Sequence, residues 1–73
     1  MEYQEFFSLV HSVSNSITED QMHLPIEHTA LDSLDYLNLR SILEVRLGRA
    51  ITDNEWLDVD TLFNFYETSC HED

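Results

Sequence analysis

One glycine and one proline, Gly48 and Pro25, are the only such breaks in these 73 residues. Tight hairpin turns draw on Gly and Pro for backbone angles that other residues resist, so a chain this poor in both argues against an all-β fold. The alternative is helices joined by a few connections, and apolar spacing supports it. Tyr3, Phe6, Phe7, Val10, Val13 and Ile17 recur at steps of three and four, which places them on one face of a helix over about residues 2–15. Ser14-Asn15-Ser16 weakens that pattern. Thr18 to Leu31 has no clean period and holds Pro25, so it reads as a long connection pinned to the core by Met22, Leu24, Ile26 and Leu31.

A second helix is expected from Ser33 to Leu47, with Asp32 or Ser33 accepting a hydrogen bond from a free backbone N–H at its start. Tyr36, Leu39, Leu43 and Leu47 form one stripe, and Leu34, Leu37 and Ser41 form its neighbour. Gly48 supplies the stop, and Arg46 and Arg49 suit the negative helix end. Thr52-Asp53-Asn54-Glu55 has the spacing of a capping box and opens a short turn carrying Trp56 and Leu57. Asp58 or Asp60 then caps a last helix over about residues 60–69, whose apolar contacts come from Leu62, Phe63, Phe65 and Tyr66. The expected fold is an all-α, four-helix bundle, with three longer helices and a short third one, in a single domain over residues 1–73.

Charge narrows the function. Fifteen acids face three bases, for a formal charge of -12, and there is no Lys. Arg40, Arg46 and Arg49 are the only bases. Such a surface repels phosphate backbones and anionic headgroups, so neither nucleic acid nor membrane is an expected partner. It attracts basic patches on proteins. The one cysteine, Cys70, has no partner for an internal disulfide and fits a reducing compartment. No apolar run is long enough to span a membrane, and the start Met1-Glu2-Tyr3-Gln4-Glu5 lacks the basic opening of a signal peptide. A cytoplasmic monomer is expected.

No catalytic constellation stands out. His11, His23, His28 and His71 are not at metal-ligand spacing, and Cys70 is remote in sequence from three of them. There is no Gly-rich phosphate loop and no nucleophile elbow. The many carboxylates, with no pocket to raise one pKa, read as a solvated face. Neither a catalytic residue nor a metal site is expected.

Asp32-Ser33-Leu34-Asp35 is the remaining candidate. Alone it is an ordinary helix cap. In context it sits between a long loop and an amphipathic helix in a small acidic domain. At this point the chain resembles the acyl carrier protein family, whose attachment motif is Asp-Ser-Leu at the start of the second helix. The resemblance runs on through Leu39, Leu43-Glu44, Leu47-Gly48, Ile51, Asp53-Asn54-Glu55 and Val59-Asp60-Thr61-Leu62, covering about residues 31–66.

The resemblance implies that Ser33 carries a phosphopantetheine arm installed from coenzyme A by a phosphopantetheinyl transferase. The arm's thiol would hold acyl or aminoacyl cargo as a thioester. It implies further partners: an acyl-loading or adenylating enzyme, an acyltransferase or a ketosynthase. Asp32, Asp35 and Glu44 match acidic positions that meet basic partner patches. Leu34 and Leu37 match apolar contacts beside the arm, although Leu37 is equally placed to be core. The chain departs from the family pattern in Thr29-Ala30-Leu31, where glycine is common before the motif, and in Arg40, Val45 and Arg46. These departures point to a carrier dedicated to one pathway, such as polyketide or nonribosomal-peptide chemistry, with a housekeeping fatty-acid carrier as the alternative. A carrier-like interaction module without the arm and an acidic nucleic-acid mimic also stay open. The cargo is not legible.

Overall fold

The apolar stripes decide which helix faces turn inward. In the computed structural model, which describes residues 1–70, α1 spans Tyr3–Val13 and buries Phe6 and Val10. Ser14 leaves the helical region and its N–H closes the last turn on the Val10 carbonyl. α2 spans Ser33–Leu47, buries Leu39 and Leu43, and stops at Gly48. The glycine takes φ 72°, the left-handed conformation that costs a residue with a Cβ, and its N–H returns to the Glu44 carbonyl. α3 spans Asp53–Leu57 and has a complete capping box between Thr52 and Glu55. α4 spans Leu62–Phe65 and continues as a wider π-type turn over Tyr66–Cys70. The chain is thus all-α, with four helices among the described residues.

The four helices share one core. Phe6 and Val10 from α1, Leu39 and Leu43 from α2, Trp56 from α3, and Leu62 and Phe65 from α4 meet with Ile17, Met22 and Ile51. Removing each large side chain from water contributes roughly 1.5–3 kcal/mol. Aromatic rings join the helices at its edge: Tyr3 meets Phe63 and Tyr66 edge-on at 5.6 and 5.5 Å. The Met1 ammonium donates to the Cys70 carbonyl, and the Tyr66 hydroxyl donates to the Met1 carbonyl.

Three features differ from the sequence expectation. α1 is shorter at both ends than residues 2–15. The segment over residues 18–31 is a pair of 3-10 turns, Glu19–His23 and Ile26–His28, flanking Pro25. Side chains hold these turns: Gln21 Oε1 accepts from the Ala30 N–H at 2.9 Å, and Thr29 Oγ1 donates to the Ile26 carbonyl. Met22 and Leu31 are buried as expected, whereas Leu24 faces solvent at 39% exposure. Finally, Thr61 caps α4 rather than Asp58 or Asp60, its Oγ1 accepting from the Asn64 N–H at 3.0 Å. The Asp60 carbonyl accepts from the Ile26 N–H, and Pro25 and Thr61 form an isolated antiparallel bridge. That cross-tie keeps the chain extended through residue 61, so the helix begins at Leu62, two residues later than expected. His71 lies outside the described residues.

Candidate functional site

The start of α2 is built by Asp32. Its carboxylate Oδ1 accepts from the Asp35 N–H at 2.8 Å while its carbonyl accepts the first helical bond from Tyr36. Because Asp32 does the capping, Ser33 becomes the first helical residue with an exposed side chain, and its hydroxyl has no hydrogen bond among the described residues. The first-turn N–H groups and the positive end of a fifteen-residue helix lie at the same place, an environment that favours an anion.

Beside Ser33 an open groove of about 300 Å³ runs between the second 3-10 turn, the start of α2 and α3. Its apolar lining includes Ile26, Leu31, Trp56 and Val59, and its only charged lining residues are Glu27 and Asp32. Tyr36 also lines it, stacked on Trp56 with ring centroids 4.2 Å apart and planes 16° from parallel. The Tyr36 hydroxyl donates to the Trp56 carbonyl at 2.7 Å, locking α2 to α3. Burial pushes the Tyr36 phenol up to about 12, so it stays neutral.

The other residues singled out from the sequence separate into two groups. Leu34 and Leu37 are exposed, at 72% and 55%, which removes Leu37 from the core. Asp32 is exposed and Asp35 half-buried, both within the first turn of α2. Glu44 lies apart from them. It is half-buried, accepts from the Ile51 N–H at 2.7 Å, and stands 3.9 Å from Arg40. Its carboxylate therefore holds the turn after α2. Val45 at 85% and Leu57 at 78% are exposed apolar residues that the sequence reading did not assign to a surface. Val45 could have been found from its spacing, eleven residues beyond Leu34 on the same helix face. Leu57 lines the groove, and no periodic signal marks it because α3 is too short to show one.

The three arginines are used internally. Arg40 donates to Asp53 Oδ1 at 2.7 Å and to the Ile51 carbonyl, joining α2 to the start of α3. Arg46 grips Glu5 of α1 through two nitrogens, and this pairing holds the Glu5 carboxyl below its usual range. Arg49 reaches Glu55 and the Ser69 carbonyl. The Glu55 carboxyl is likewise lowered, first by the Thr52 backbone N–H and then by Arg49. The start of α2 thus carries carboxylates, leucines and a hydroxyl, and no base.

Among the described residues no group of three or more His, Cys, Asp or Glu side chains is gathered closely enough to hold a metal ion. His23 packs on Phe63 at 4.6 Å, and His11 lies beside Phe7 at 5.8 Å. No helix among them is long and apolar enough to cross a membrane. Cys70 is buried, and burial pushes its thiol up to about 11. No protein-family model, curated protein or solved structure matches the chain.

Proposed function

We propose that this chain is a carrier that bears a phosphopantetheine arm on Ser33 and delivers thioester-bound acyl or aminoacyl intermediates between enzymes. The observation that carries this reading is the unengaged Ser33 hydroxyl at a helix N-terminus on the lip of an apolar groove. The Ser33 oxygen attacks the pantetheine-bearing phosphorus of coenzyme A. The phosphoanhydride bond to the adenosine bisphosphate breaks, and the hydroxyl proton passes to the transferase. Ser33 is an attachment point, and turnover belongs to the partner enzymes. The arm supplies a thiol that holds cargo as a thioester. The first-turn N–H groups of α2 would favour the phosphodiester of a bound arm, and Asp32 fixes that turn through the Asp35 N–H.

The exposed first turns of α2 suit recognition. Asp32 and Asp35 offer charge to basic patches on the transferase and on loading and accepting enzymes, while Leu34 and Leu37 offer apolar contact. Each exposed ion pair is worth about 0–1 kcal/mol, so recognition needs several together. A reducing, cytoplasmic setting suits the unpaired Cys70. The internal use of Arg40 and Arg46 explains bases that would otherwise sit oddly on a recognition helix. It accounts for two of the departures on structural grounds, and Thr29-Ala30-Leu31 and the exposed Val45 remain to favour a pathway-specific carrier over a housekeeping fatty-acid carrier.

The test is direct. Incubation with coenzyme A, Mg²⁺ and a broad-specificity transferase should add one phosphopantetheine to the intact mass, and Ser33→Ala should abolish the gain. An unchanged mass with several transferases overturns the reading. The row of exposed Leu34, Leu37 and Val45 favours a second reading, a docking module without an arm. In that case Ser33→Ala leaves partner binding intact, and Leu37→Ala weakens it.

A further inference from the structure

Five rings from three segments form a row that shares no residue with the groove at Ser33. Tyr3, Phe7 and His11 stand four residues apart on α1, so they climb one side of that helix. Phe7 lies 6.5 Å from Tyr3, its plane tilted by 22°, and 5.8 Å from His11. Tyr3 meets Phe63 of α4 at 5.6 Å, and Phe63 meets His23 of the first 3-10 turn at 4.6 Å. Tyr3, Phe7 and Phe63 are half-buried, and the histidines at the two ends of the row are exposed.

The surroundings of the row are acidic. Burial first, and then the charge of Glu19, raises the Tyr3 phenol, so that carboxylate stands beside the row. Burial and then Glu2 raise the phenol of Tyr66, which touches Tyr3 edge-on at 5.5 Å. The three arginines pair elsewhere, Arg40 with Asp53, Arg46 with Glu5 and Arg49 with Glu55. At the α1 end of the row an open hollow of about 320 Å³ adds Ser8, Ser12 and Asn15, whose side-chain oxygens can accept hydrogen bonds.

We propose that this row docks an amphipathic helix of a partner protein that presents arginines four residues apart, their guanidinium groups lying over the rings. The proposal stands independently of the carrier reading, and the surface is separate from Asp32, Asp35 and the leucines of α2. The spacing fits, because side chains four apart on a helix stand about 5–6 Å from each other and the rings step by 4.6 to 6.5 Å. The chemistry fits as well. A guanidinium stacks on an aromatic face and still has N–H groups to donate, for which Glu2, Glu19 and the oxygens of the hollow are acceptors. Charge selects among occupants. A second copy of the chain would bring another -12 and arginines that are already paired, and phosphate-bearing partners are repelled in the same way.

The probe is an alanine-based helical peptide with arginine at every fourth position, titrated into nitrogen-15-labelled protein. Amide shifts should concentrate at Tyr3, Phe7, His11, His23 and Phe63, and binding should weaken as salt rises. Citrulline keeps the shape of arginine and loses the charge. Each arginine so replaced should weaken binding about two- to fivefold, the factor that one exposed cation–π contact supplies. Phe7→Leu keeps apolar bulk and removes the ring, so it should weaken binding by a similar factor while the urea midpoint holds. His11→Ala, at an exposed end of the row, should act in the same direction without touching the core. Equal affinity of the arginine and citrulline peptides overturns the proposal, as does affinity unchanged in both variants. So do shifts centred on the start of α2, or no shift at all at about 1 mM peptide. Shifts that grow with protein concentration alone mark a second copy as the occupant and overturn it too.

Discussion

The two ends of α2 are opposites. From its middle onward most of the inward side chains are committed: Leu39 and Leu43 are fully buried, Arg40 reaches Asp53 and the Ile51 carbonyl, Glu44 holds the Ile51 N–H, and Gly48 closes the last turn. At its start, Asp32 caps the helix and Tyr36 ties it to α3, while Ser33, Leu34 and Leu37 are presented outward. The contrast explains how a 73-residue chain, which buries only roughly 60% of its unfolded surface, can position a site at all. One half of the helix is anchored by buried leucines and by side-chain ties to neighbouring segments, so the other half needs few contacts of its own to stay in place.

Substitutions can break that contrast, starting with the largest effect. Leu43→Ala should destabilise the fold by about 2–5 kcal/mol in urea or thermal unfolding, because it leaves a cavity in the shared core. Ser33→Ala should change stability by less than about 0.5 kcal/mol, as an exposed, unbonded residue should, yet abolish phosphopantetheine addition. If Ser33→Ala unfolds the protein, or Leu43→Ala does not, the division of α2 into a held and a presented half is wrong. Glu44→Ala strips the Ile51 N–H of its acceptor and should cost about 1–3 kcal/mol, measured by the urea midpoint. Were Glu44 chiefly a partner contact, the same variant would instead leave the midpoint unchanged and slow the transferase reaction.

Helix caps sharpen the same comparison at smaller scale. Asp32→Ala should cost about 1 kcal/mol through loss of the bond to the Asp35 N–H, and it should also impair loading of Ser33 by loosening the first turn. Gly48→Ala meets no atom within 4 Å, so its cost of about 1–2 kcal/mol is conformational alone and should leave loading untouched. The smallest expected effect is acidic. Glu5 and Glu55 have lowered folded-state pKa values, so their stabilisation is complete above their ordinary value of 4.5 and is lost as pH falls through the folded values. Arg46→Met should flatten that loss for Glu5, seen as a shallower dependence of the urea midpoint on pH in the acid range. Comparing the variant with its parent cancels the opposing relief of repulsion among the other carboxylates.

Much of this was legible from residue order. The three- and four-residue steps from Tyr3 onward, the Asp32 cap, the Gly48 stop and the Thr52–Glu55 box are local signals, and local backbone physics satisfies them. What failed to show was whatever needed a distant partner. Residues 18–31 lack a stripe because short 3-10 turns have none, and their shape depends on Gln21 reaching Ala30 and on Pro25 meeting Thr61. The cap of α4 moved to Thr61 for the same reason. Leu37 was ambiguous because two adjacent stripes of α2 are comparably apolar, and only packing against α1 and α3 selects the one with Leu39 and Leu43. Glu44 looked like a surface acid because nothing near it in sequence announces the Ile51 N–H. The groove depends on the gap between three separate segments, so no single stretch encodes it.

Cys70 has a consequence of its own. It is 1% exposed, and burial raises its thiol to about 11, so the stabilisation it provides as a neutral group holds below the unfolded value of 9.0 and fades only as pH rises toward 11. A thioester exchanges with thiolates, and near neutral pH this sulfur is neither ionised nor within reach. In a carrier, the protein's only cysteine would be chemically silent toward its own freight. A cargo delivered to the arm would meet no competing thiolate on the same chain, and thiol exchange would need an outside acceptor.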